Sequence, residues 1–275
     1  MSKLYVVGTP IGNLGDMSPR AIETLKNVDF IAAEDTRVTL KLLNHFGIQK
    51  PMISYYEHNL RQKGEVIISR ILAGESCAVV TDAGMPCISD PGEDLIRLCI
   101  ENGIKTEVVP GPSAVISALA VSGQLTSRFT FEGFLTTQKN GRREHLEQLK
   151  NETRTMIFYE APHKLKTTLE DMRKTFGGER GITLCRELTK IYEEIIPTTF
   201  DGAIALYEEK APKGEYVLVV AGGEPVKETE MTLEEAVQLA VSLREGGMSL
   251  TQACKEAAAQ TGFKKGEIYK LALEV

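Results

Sequence analysis

The sequence predicts an α/β protein with two α/β domains and a small helical appendage at the C-terminus. Short apolar runs alternate with helical patterns through the first half of the chain, which indicates a mainly parallel sheet buried on both faces. Beyond residue 128, two strand-like segments on either side of Lys190 follow each other without a helix, which indicates an antiparallel pair. This domain is therefore expected to hold a mixed sheet. The last part of the chain contains only helical periodicity.

The first domain, residues 1–126, is expected to alternate strands and helices. Ser18 followed by Pro19 is typical of a helix N-cap with proline at the first helical position. Asp90, Pro91 and Glu93 form a similar start, and Ser113 is expected to cap a helix that ends near Gly123. The predicted strands are 4–7, 28–33, 52–56, 77–81 and 106–109, and the remaining helices are about 38–45 and 60–72.

The second domain is predicted to span residues 127–224 and the helical tail residues 225–275. The second domain should contain strands 129–135, 156–160, 182–186, 194–198 and 216–221 with helices 142–149, 163–175 and 201–208. In the tail, Ser249 and Gln252 have the spacing of a capping box. Three short helices with tight turns resemble a helix-turn-helix. The pattern leaves open whether they pack on the chain or a dimer mate, or contact nucleic acid.

Composition excludes several classes of protein. The net charge is −6 and the pI is near 5.5, so RNA contact would require a local basic patch. No apolar run approaches the ~20 residues of a membrane span. The five cysteines are scattered without CxxC spacing, which indicates neither a disulfide framework nor a zinc site. We therefore expect a cytoplasmic protein that contacts no membrane and holds no metal.

Four loops follow strand-like runs and are expected to share one edge of the sheet, where small ligands bind in such folds. They are residues 8–13, 34–37, 81–86 and 110–114. These loops are rich in glycine, proline and carboxylate and poor in lysine. The glycines at 8, 12 and 15 match neither a dinucleotide-binding loop nor a P-loop. The loops therefore favour a ligand that carries positive charge and is approached closely by the backbone.

Individual residues allow more than one interpretation. Asp82 could hold a ribose hydroxyl or a cationic group, and Ser113 could bind a carboxylate at a helix start. Asp35 and Arg37 form either an internal ion pair or a substrate-positioning pair. His163 is either a base or a polar surface residue. Basic residues of the second domain are either solvated or contact phosphate; they are Lys139, Arg142, Arg143, Lys164, Lys166, Arg173 and Lys174.

Taken together, eight motifs in order resemble the tetrapyrrole methylase superfamily of S-adenosylmethionine (SAM) enzymes, and within it the bacterial ribosomal RNA small-subunit methyltransferase I family. The motifs are GTPIGNLGD (8–16), AEDTR (33–37), TDAGMPCISDPG (81–92), VPGPSA (109–114), FEGF (131–134), FYEAPHKL (158–165), CRELTK (185–190) and KGEYVLVVAG (213–222). The tetrapyrrole branch has a more glycine-rich loop at Asp82-Ala83, which favours the RNA branch.

The resemblance implies SAM bound between two α/β domains, a homodimer, and methylation of the ribose 2′-OH of a cytidine in 16S rRNA of the small ribosomal subunit. The implied SAM contacts are Pro10, Asp82, Ala83, Gly84, Ile88, Ser113, Ala114, Glu160 and Arg186. Candidates for the catalytic base are Asp35, Glu160, Lys164 and His163. Arg37, Arg142, Arg143 and His163 are expected on the substrate side. Alternatives are a tetrapyrrole methyltransferase and a non-catalytic RNA-binding assembly factor.

Overall fold

The computed structural model describes residues 2–56, 60–89, 92–224 and 232–273. The chain divides into two compact units, residues 1–223 and 224–275. The first unit contains two five-stranded sheets with helices, which confirms the predicted α/β class. The predicted boundary at residue 126 falls in the connection between the sheets, inside the first unit, and stays a prediction.

The first sheet is entirely parallel, with strand order β3-β2-β4-β1-β5. Its strands are β1 (Leu4–Val7), β2 (Phe30–Ala33), β3 (Met52–Ser54), β4 (Cys77–Val80) and β5 (Thr106–Val109). Its helices are α1 (Pro19–Asn27), α2 (Thr36–His45), α3 (Leu60–Leu72), α4 (Glu93–Glu101) and α5 (Ala114–Val121). All residues of β2 and β4 are buried, between separate apolar clusters. Because every strand runs the same way, the loops after the strands share one edge.

The N-terminal caps of three helices can be compared with those predicted from the sequence. One cap agrees with its prediction, and the other two differ. The Ala21 amide donates a hydrogen bond of 3.1 Å to the Ser18 hydroxyl, as predicted for an N-cap. Ser113 stands at the N-cap position of α5, but its side chain accepts no capping hydrogen bond, so the prediction that it caps the helix is wrong in this respect. The N-cap of α4 is Gly92, and the predicted cap Asp90 with Pro91 lies outside the described residues.

The second sheet is mixed, with strand order β6-β7-β10-β8-β9. Its strands are β6 (Phe129–Phe134), β7 (Thr155–Glu160), β8 (Gly181–Arg186), β9 (Glu194–Thr199) and β10 (Tyr216–Val220), and its helices are α6 (Lys139–Gln148), α7 (Leu165–Phe176) and α8 (Phe200–Glu209). Only β6 and β7 pair in parallel. The antiparallel pairing of β8 with β9 confirms the prediction made for the strands flanking Lys190. β10 runs opposite to its neighbours, so Tyr216 pairs with Glu160 and Arg186 at their carboxyl ends.

The second unit contains α9 (Leu233–Glu245), α10 (Leu250–Thr261) and α11 (Lys265–Ala272) around its own apolar cluster. The predicted capping box at Ser249 is wrong in its second half, because the Gln252 side-chain oxygen accepts from the Ser249 hydroxyl instead of the backbone amide. The reciprocal box is formed by Thr232 and Glu235, with hydrogen bonds of 3.2 and 2.8 Å.

Within the described ranges, no helix is long and apolar enough to cross a membrane. The five cysteines are free thiols. The described part of the chain contains no cluster of histidine, cysteine and carboxylate side chains able to hold a metal ion.

Candidate active site

A cavity of about 560 Å³ lies where the strand-end loops of the first sheet face the second sheet. The first sheet contributes Ile11, Glu34, Thr81, Asp82, Ala83, Gly84, Met85, Ile88, Ser113 and Ala114. The second sheet contributes Phe134, Tyr159, Glu160, Ala161, Pro162, His163, Cys185, Leu188, Lys190, Glu215, Tyr216 and Val217. Its volume and mixed apolar and polar lining are typical of a small-ligand site.

Backbone contacts hold the first-sheet loops in place. The Thr9 amide donates to the Gly84 carbonyl over 2.9 Å, and the Gly84 amide donates back to the Thr9 carbonyl over 3.1 Å. Gly84 has φ +90°, and a Cβ there would lie 3.3 Å from Ile11 Cγ2. A Cβ on Gly8 would lie 2.6 Å from Gly111 Cα, so the loops after β1 and β5 touch through their backbones. The absence of side chains at these glycines lets a ligand approach the backbone closely.

Two carboxylates follow adjacent strands of the first sheet. Glu34 Oε2 accepts hydrogen bonds from the Thr81 hydroxyl over 2.5 Å and from the Asp82 amide over 3.3 Å. Asp82 Oδ1 accepts from the Asp35 amide over 3.2 Å. Burial, followed by the nearby charge of Glu34, raises the pKa of Asp82 above its ordinary value. Asp82 is therefore a better proton acceptor than an ordinary aspartate.

Glu160, at the end of β7, brings a buried carboxylate to the cavity from the second sheet. Its side chain is 5% exposed. Its two oxygens accept from the Ala161 amide over 2.8 Å and from the Thr168 hydroxyl over 2.5 Å. These donors satisfy the two buried oxygens and fix the orientation of the side chain.

Lys190 connects the second-sheet side of the cavity to the first-sheet loop. Its Nζ lies 2.9 Å from Glu187 Oε1 and 2.7 Å from Glu215 Oε2. Burial by itself lowers the pKa of Lys190, but the hydrogen bonds to both carboxylates outweigh burial and raise it. The lysine stem lies against Gly12, where a Cβ would come within 2.5 Å of Lys190 Cγ. The cation is thus held in its charged form across the cleft.

The turn that carries Lys190 has a strained backbone. Glu187 and Thr189 have φ values of +51° and +67°, and a β-branched residue rarely adopts such a conformation. The Glu193 carboxylate accepts from the Thr189 amide over 2.5 Å. Strain of this kind persists where the surroundings enforce it, often at binding sites.

The larger cavity brings together eight of the predicted site residues: Asp82, Ala83, Gly84, Ile88, Ser113, Ala114, Glu160 and His163. Pro10 lines a smaller adjoining cavity of about 370 Å³. Asp35 and Arg37 line neither cavity. Arg37 Nη2 lies 2.6 Å from Asp35 Oδ2, and the hydrogen bonds from Arg37 lower the pKa of Asp35 to about 2. Asp35 is therefore a weak base in this arrangement.

Four basic residues predicted from the sequence as site residues lie outside both cavities. Lys164 is the N-cap residue of α7, and Arg143 is exposed on α6. The Arg142 side chain is 13% exposed and lies 2.6 Å from Asp171 Oδ2. Arg186 donates to Glu194 Oε2 over 2.8 Å and to the Lys213 carbonyl over 2.6 Å. These contacts give Arg142 and Arg186 structural partners within the second sheet and its helices.

Several cavity residues were not singled out from the sequence. They are Ile11, Thr81, Met85, Phe134, Tyr159, Ala161, Pro162, Cys185, Leu188, Lys190, Glu215, Tyr216 and Val217. All of them stand inside the quoted motifs, so the motifs located the right segments. The motifs did not show which side chains turn toward the cavity.

Comparison with known proteins agrees with this architecture. Residues 3–204 match the family model described as Tetrapyrrole (Corrin/Porphyrin) Methylases, and residues 230–275 match the RsmI C-terminal HTH domain. Two solved structures have the same fold at 17% sequence identity. The uroporphyrin-III-C-methyltransferase of Thermus thermophilus gives a TM-score of 0.57 over 80% of this chain and 94% of that one, and the methyltransferase CobJ gives 0.60 over 81% and 100%.

Curated relatives match almost the whole chain. A protein named ribosomal RNA small subunit methyltransferase I from Synechocystis is 46% identical over 100% of this chain and 99% of its own length. Proteins of the same name from Halalkalibacterium halodurans and Escherichia coli O157:H7 are 46% and 43% identical, over 98% and 99% of this chain and 93% and 95% of their own. The chain therefore belongs to the tetrapyrrole methylases and, within them, to the ribosomal RNA small subunit methyltransferase I family.

Proposed function

We propose that this protein transfers a methyl group from SAM to the ribose 2′-OH of a cytidine in 16S rRNA of the small ribosomal subunit. The observation that carries the proposal is the full-length similarity to relatives named for methylation of small-subunit ribosomal RNA, combined with a cavity whose lining suits a cationic methyl donor.

The charge and the lining of the larger cavity suit SAM. Among the residues that the structure describes, four carboxylates line it, at Glu34, Asp82, Glu160 and Glu215, and the one lysine in the lining, Lys190, is already paired with two carboxylates. This balance favours the sulfonium and amino group of SAM and disfavours a polyphosphate. The rest of the binding surface is formed by the backbone at Ala83 and Gly84 and by side chains of the cavity lining. These side chains are Phe134, Tyr159, Tyr216, Ile88, Ser113 and Ala114. SAM supplies a methyl group that is already activated for transfer.

The acceptor hydroxyl must lose a proton as it attacks, and Asp82 is the carboxylate we propose as the base. It lines both cavities and has a raised pKa. Glu160 is fixed by two donors and serves to orient the donor site. Asp35, with its pKa of about 2, and Lys164, outside the cavities, are weaker candidates. A base of this kind contributes roughly 10²–10⁴-fold to the rate.

We propose that RNA is held by exposed arginine side chains outside the cavities and by His163 in the cavity lining. Arg37 is 87% exposed, Arg143 is exposed, and His163 lines the cavity. Arg142 supports α6 through Asp171 and contributes to RNA binding through the position of that helix. The helical tail matches an HTH domain model, and we propose that it adds contacts to the RNA or the ribosomal subunit.

A homodimer in the cytoplasm is part of the proposal. Exposed apolar side chains are frequent between β5 and β6: Val108, Ile116, Val121, Leu125 and Phe129. Apolar surface of this kind often marks a protein interface. Sedimentation analysis should give twice the mass of the chain, and a monomer at micromolar concentration would remove the dimer from the proposal.

The deciding experiment incubates the protein with tritiated SAM and small ribosomal subunits from a strain that lacks this activity, and then maps the labelled nucleotide. Label on a ribose 2′-oxygen of a cytidine in 16S rRNA is the expected result. In a parallel incubation that offers uroporphyrinogen in place of subunits, label on uroporphyrinogen, with none on RNA, would indicate a tetrapyrrole methyltransferase. SAM binding without transfer to either acceptor would indicate a non-catalytic assembly factor.

A further inference from the structure

A second cavity of about 370 Å³ adjoins the larger one. Six residues line both cavities: Ile11, Thr81, Asp82, Ala83, Lys190 and Glu215. The residues that line only the second cavity come from the loop after β1 and from α2: Pro10, Gly12, Leu14, Val38, Thr39, Lys41 and Leu42. The two cavities thus meet at a wall made of the Thr81–Ala83 turn and the Lys190–Glu215 pair.

The α2 side of this cavity is built to receive a partly apolar ligand. Leu14 and Val38 are large apolar side chains that are 42% and 38% exposed, and Leu42 lies beside them in the lining. An exposed apolar group in a concave surface is a favourable place for a flat ring, because ring burial removes apolar area from water.

Two polar groups on α2 have capacity for a ligand. Thr39 is 3% exposed, and its hydroxyl makes no hydrogen bond to any residue that the structure describes. A buried hydroxyl without a partner is unusual, and rotation about its Cα–Cβ bond exchanges the methyl and hydroxyl positions. Lys41 is exposed at the cavity and forms no ion pair within the described ranges. A lysine in that state is free to bind a phosphate.

We propose that the second cavity binds the nucleotide that accepts the methyl group. This inference rests on the proposed function and adds the place of the acceptor. Its base or sugar lies on Leu14, Val38 and Leu42, and Lys41 contacts a neighbouring phosphate. Donor and acceptor in adjoining cavities meet at Asp82, as transfer requires the reacting atoms to be within about 3–3.5 Å.

The geometry also determines the form of the RNA. A cavity of about 370 Å³, lined by the loop after β1, by α2, by the Thr81–Ala83 turn and by the Lys190–Glu215 pair, has room for a single nucleotide and not for a base pair. The target nucleotide must therefore leave its stack before it is methylated, which costs a few kcal/mol unless it is already unpaired. Unpaired or loosely paired positions are the acceptors that this cavity selects.

The test compares V38W with L40W, two substitutions of exposed apolar residues on α2. Val38 lines the cavity and Leu40, which is 47% exposed, does not. The larger indole of V38W fills part of the second cavity. We expect V38W to raise the KM for small subunits about tenfold or more, while the dissociation constant for SAM stays within about twofold of wild type. L40W should leave both values unchanged.

Co-sedimentation of the protein with small subunits provides a readout that does not depend on turnover, and V38W should bind them more weakly than L40W. T39V, which keeps the shape and removes the hydroxyl, should raise the same KM by about three- to tenfold. Circular dichroism verifies that each variant is folded.

The outcomes distinguish failure of the acceptor subsite from failure of the proposed function. If wild type labels no RNA in small subunits, the proposed function fails and the acceptor subsite fails with it. If wild type labels RNA and V38W behaves like L40W, only the subsite is refuted. If V38W weakens SAM binding as much as subunit binding, the second cavity belongs to the donor site, and the inference is also refuted.

Discussion

The two sheets of the first unit contribute to the cavity in different ways. The parallel first sheet sends every strand end to one edge, so its contribution is a set of loops with close backbone approaches at Gly8, Gly84 and Gly111. The mixed second sheet brings the ends of β7 and β8 and the start of β10 to its edge. Its contribution is side chains held by hydrogen bonds, such as Glu160 and Lys190. The comparison indicates that one cavity can be lined by closely approaching backbone from a parallel sheet and by hydrogen-bonded side chains from a mixed sheet.

The largest effect is expected at Asp82, the carboxylate on the first-sheet side of the cavity. D82N should lower kcat by about 100-fold or more, because the amide cannot take the proton, while the dissociation constant for SAM changes by less than about fivefold. D35N, which alters the neighbouring carboxylate outside both cavities, should keep kcat within about threefold of wild type. Steady-state kinetics and equilibrium SAM binding measure both. Equal losses in the two variants would contradict the assignment of Asp82.

The same variant has a pH signature. The pKa of Asp82 is raised in the folded protein. Ionisation of Asp82 therefore costs more free energy in the folded protein than in the unfolded chain, and it lowers the stability of the fold. This penalty is absent below the ordinary aspartate pKa and grows as the pH rises through the carboxylate range. D82N should therefore be more stable than wild type at pH 7, and the difference should vanish below about pH 4. Urea unfolding at both pH values tests this sign.

The second largest effect is expected at Gly84, where the backbone lines the cavity. G84A places a Cβ 3.3 Å from Ile11 Cγ2 and 3.5 Å from the Pro112 carbonyl, at a residue with φ +90°. We expect SAM binding to weaken about tenfold or more. G123A is the matched control, since Gly123 has φ +72° with no atom within 4 Å of the added Cβ. Both variants should lose about 1–2 kcal/mol of stability from the backbone, and only G84A should lose SAM affinity.

The next effect is expected at Lys190, the cation on the second-sheet side of the cavity. K190M leaves Glu187 and Glu215 without their shared partner. Because Glu215 lines the cavity and loses the contact that positions it, we expect SAM affinity to fall by about three- to tenfold even though the cavity loses a positive charge. K150M removes an exposed pair with Glu147 and should change affinity by less than twofold. Isothermal titration calorimetry measures both affinities, and a K190M value equal to that of K150M would contradict a role for the Lys190 bridge.

K190M should also alter the pH dependence of stability. The hydrogen bond from Lys190 lowers the pKa of Glu187 in the folded protein. That stabilisation is present above the ordinary glutamate pKa and is lost as the pH falls through the folded-state pKa. The stability difference between wild type and K190M should therefore be greatest near neutral pH and shrink below about pH 4.

The smallest effect concerns the support of Glu160. T168V removes the hydroxyl that donates to Glu160 Oε2 and preserves the side-chain shape. We expect a loss of about 1–2 kcal/mol in the free energy of unfolding, with SAM affinity within about threefold of wild type. T175V removes a hydroxyl whose one hydrogen bond among the described residues goes to the Asp171 carbonyl, and it should cost less. Thermal unfolding ranks the two, and an equal cost would mean that Glu160 is held without Thr168.

Much of the fold could be predicted from the sequence. Strand runs such as 4–7 and 77–80 are uniformly apolar, and helix starts such as Ser18-Pro19 have a local hydrogen-bonding cause. Ser113 shows where local reasoning ends, because the sequence places it at a helix start but cannot show that its hydroxyl makes no capping bond. Site residues were predicted best on the backbone side, where Asp82, Ala83 and Gly84 follow directly from a strand end.

The sequence by itself determined the class of fold, the order of the elements, the family, and the loops that form the cavity, because these depend on local periodicity and on motif spacing. Only the tertiary structure decided that Asp82 faces both cavities while Asp35 binds Arg37, and that Lys190 crosses to Gly12. It also gave Arg186 a partner in Glu194 and opened a second cavity beside α2. The physical reason is that burial, pairing and pKa depend on contacts between residues far apart in the chain, which strand register and sheet packing create.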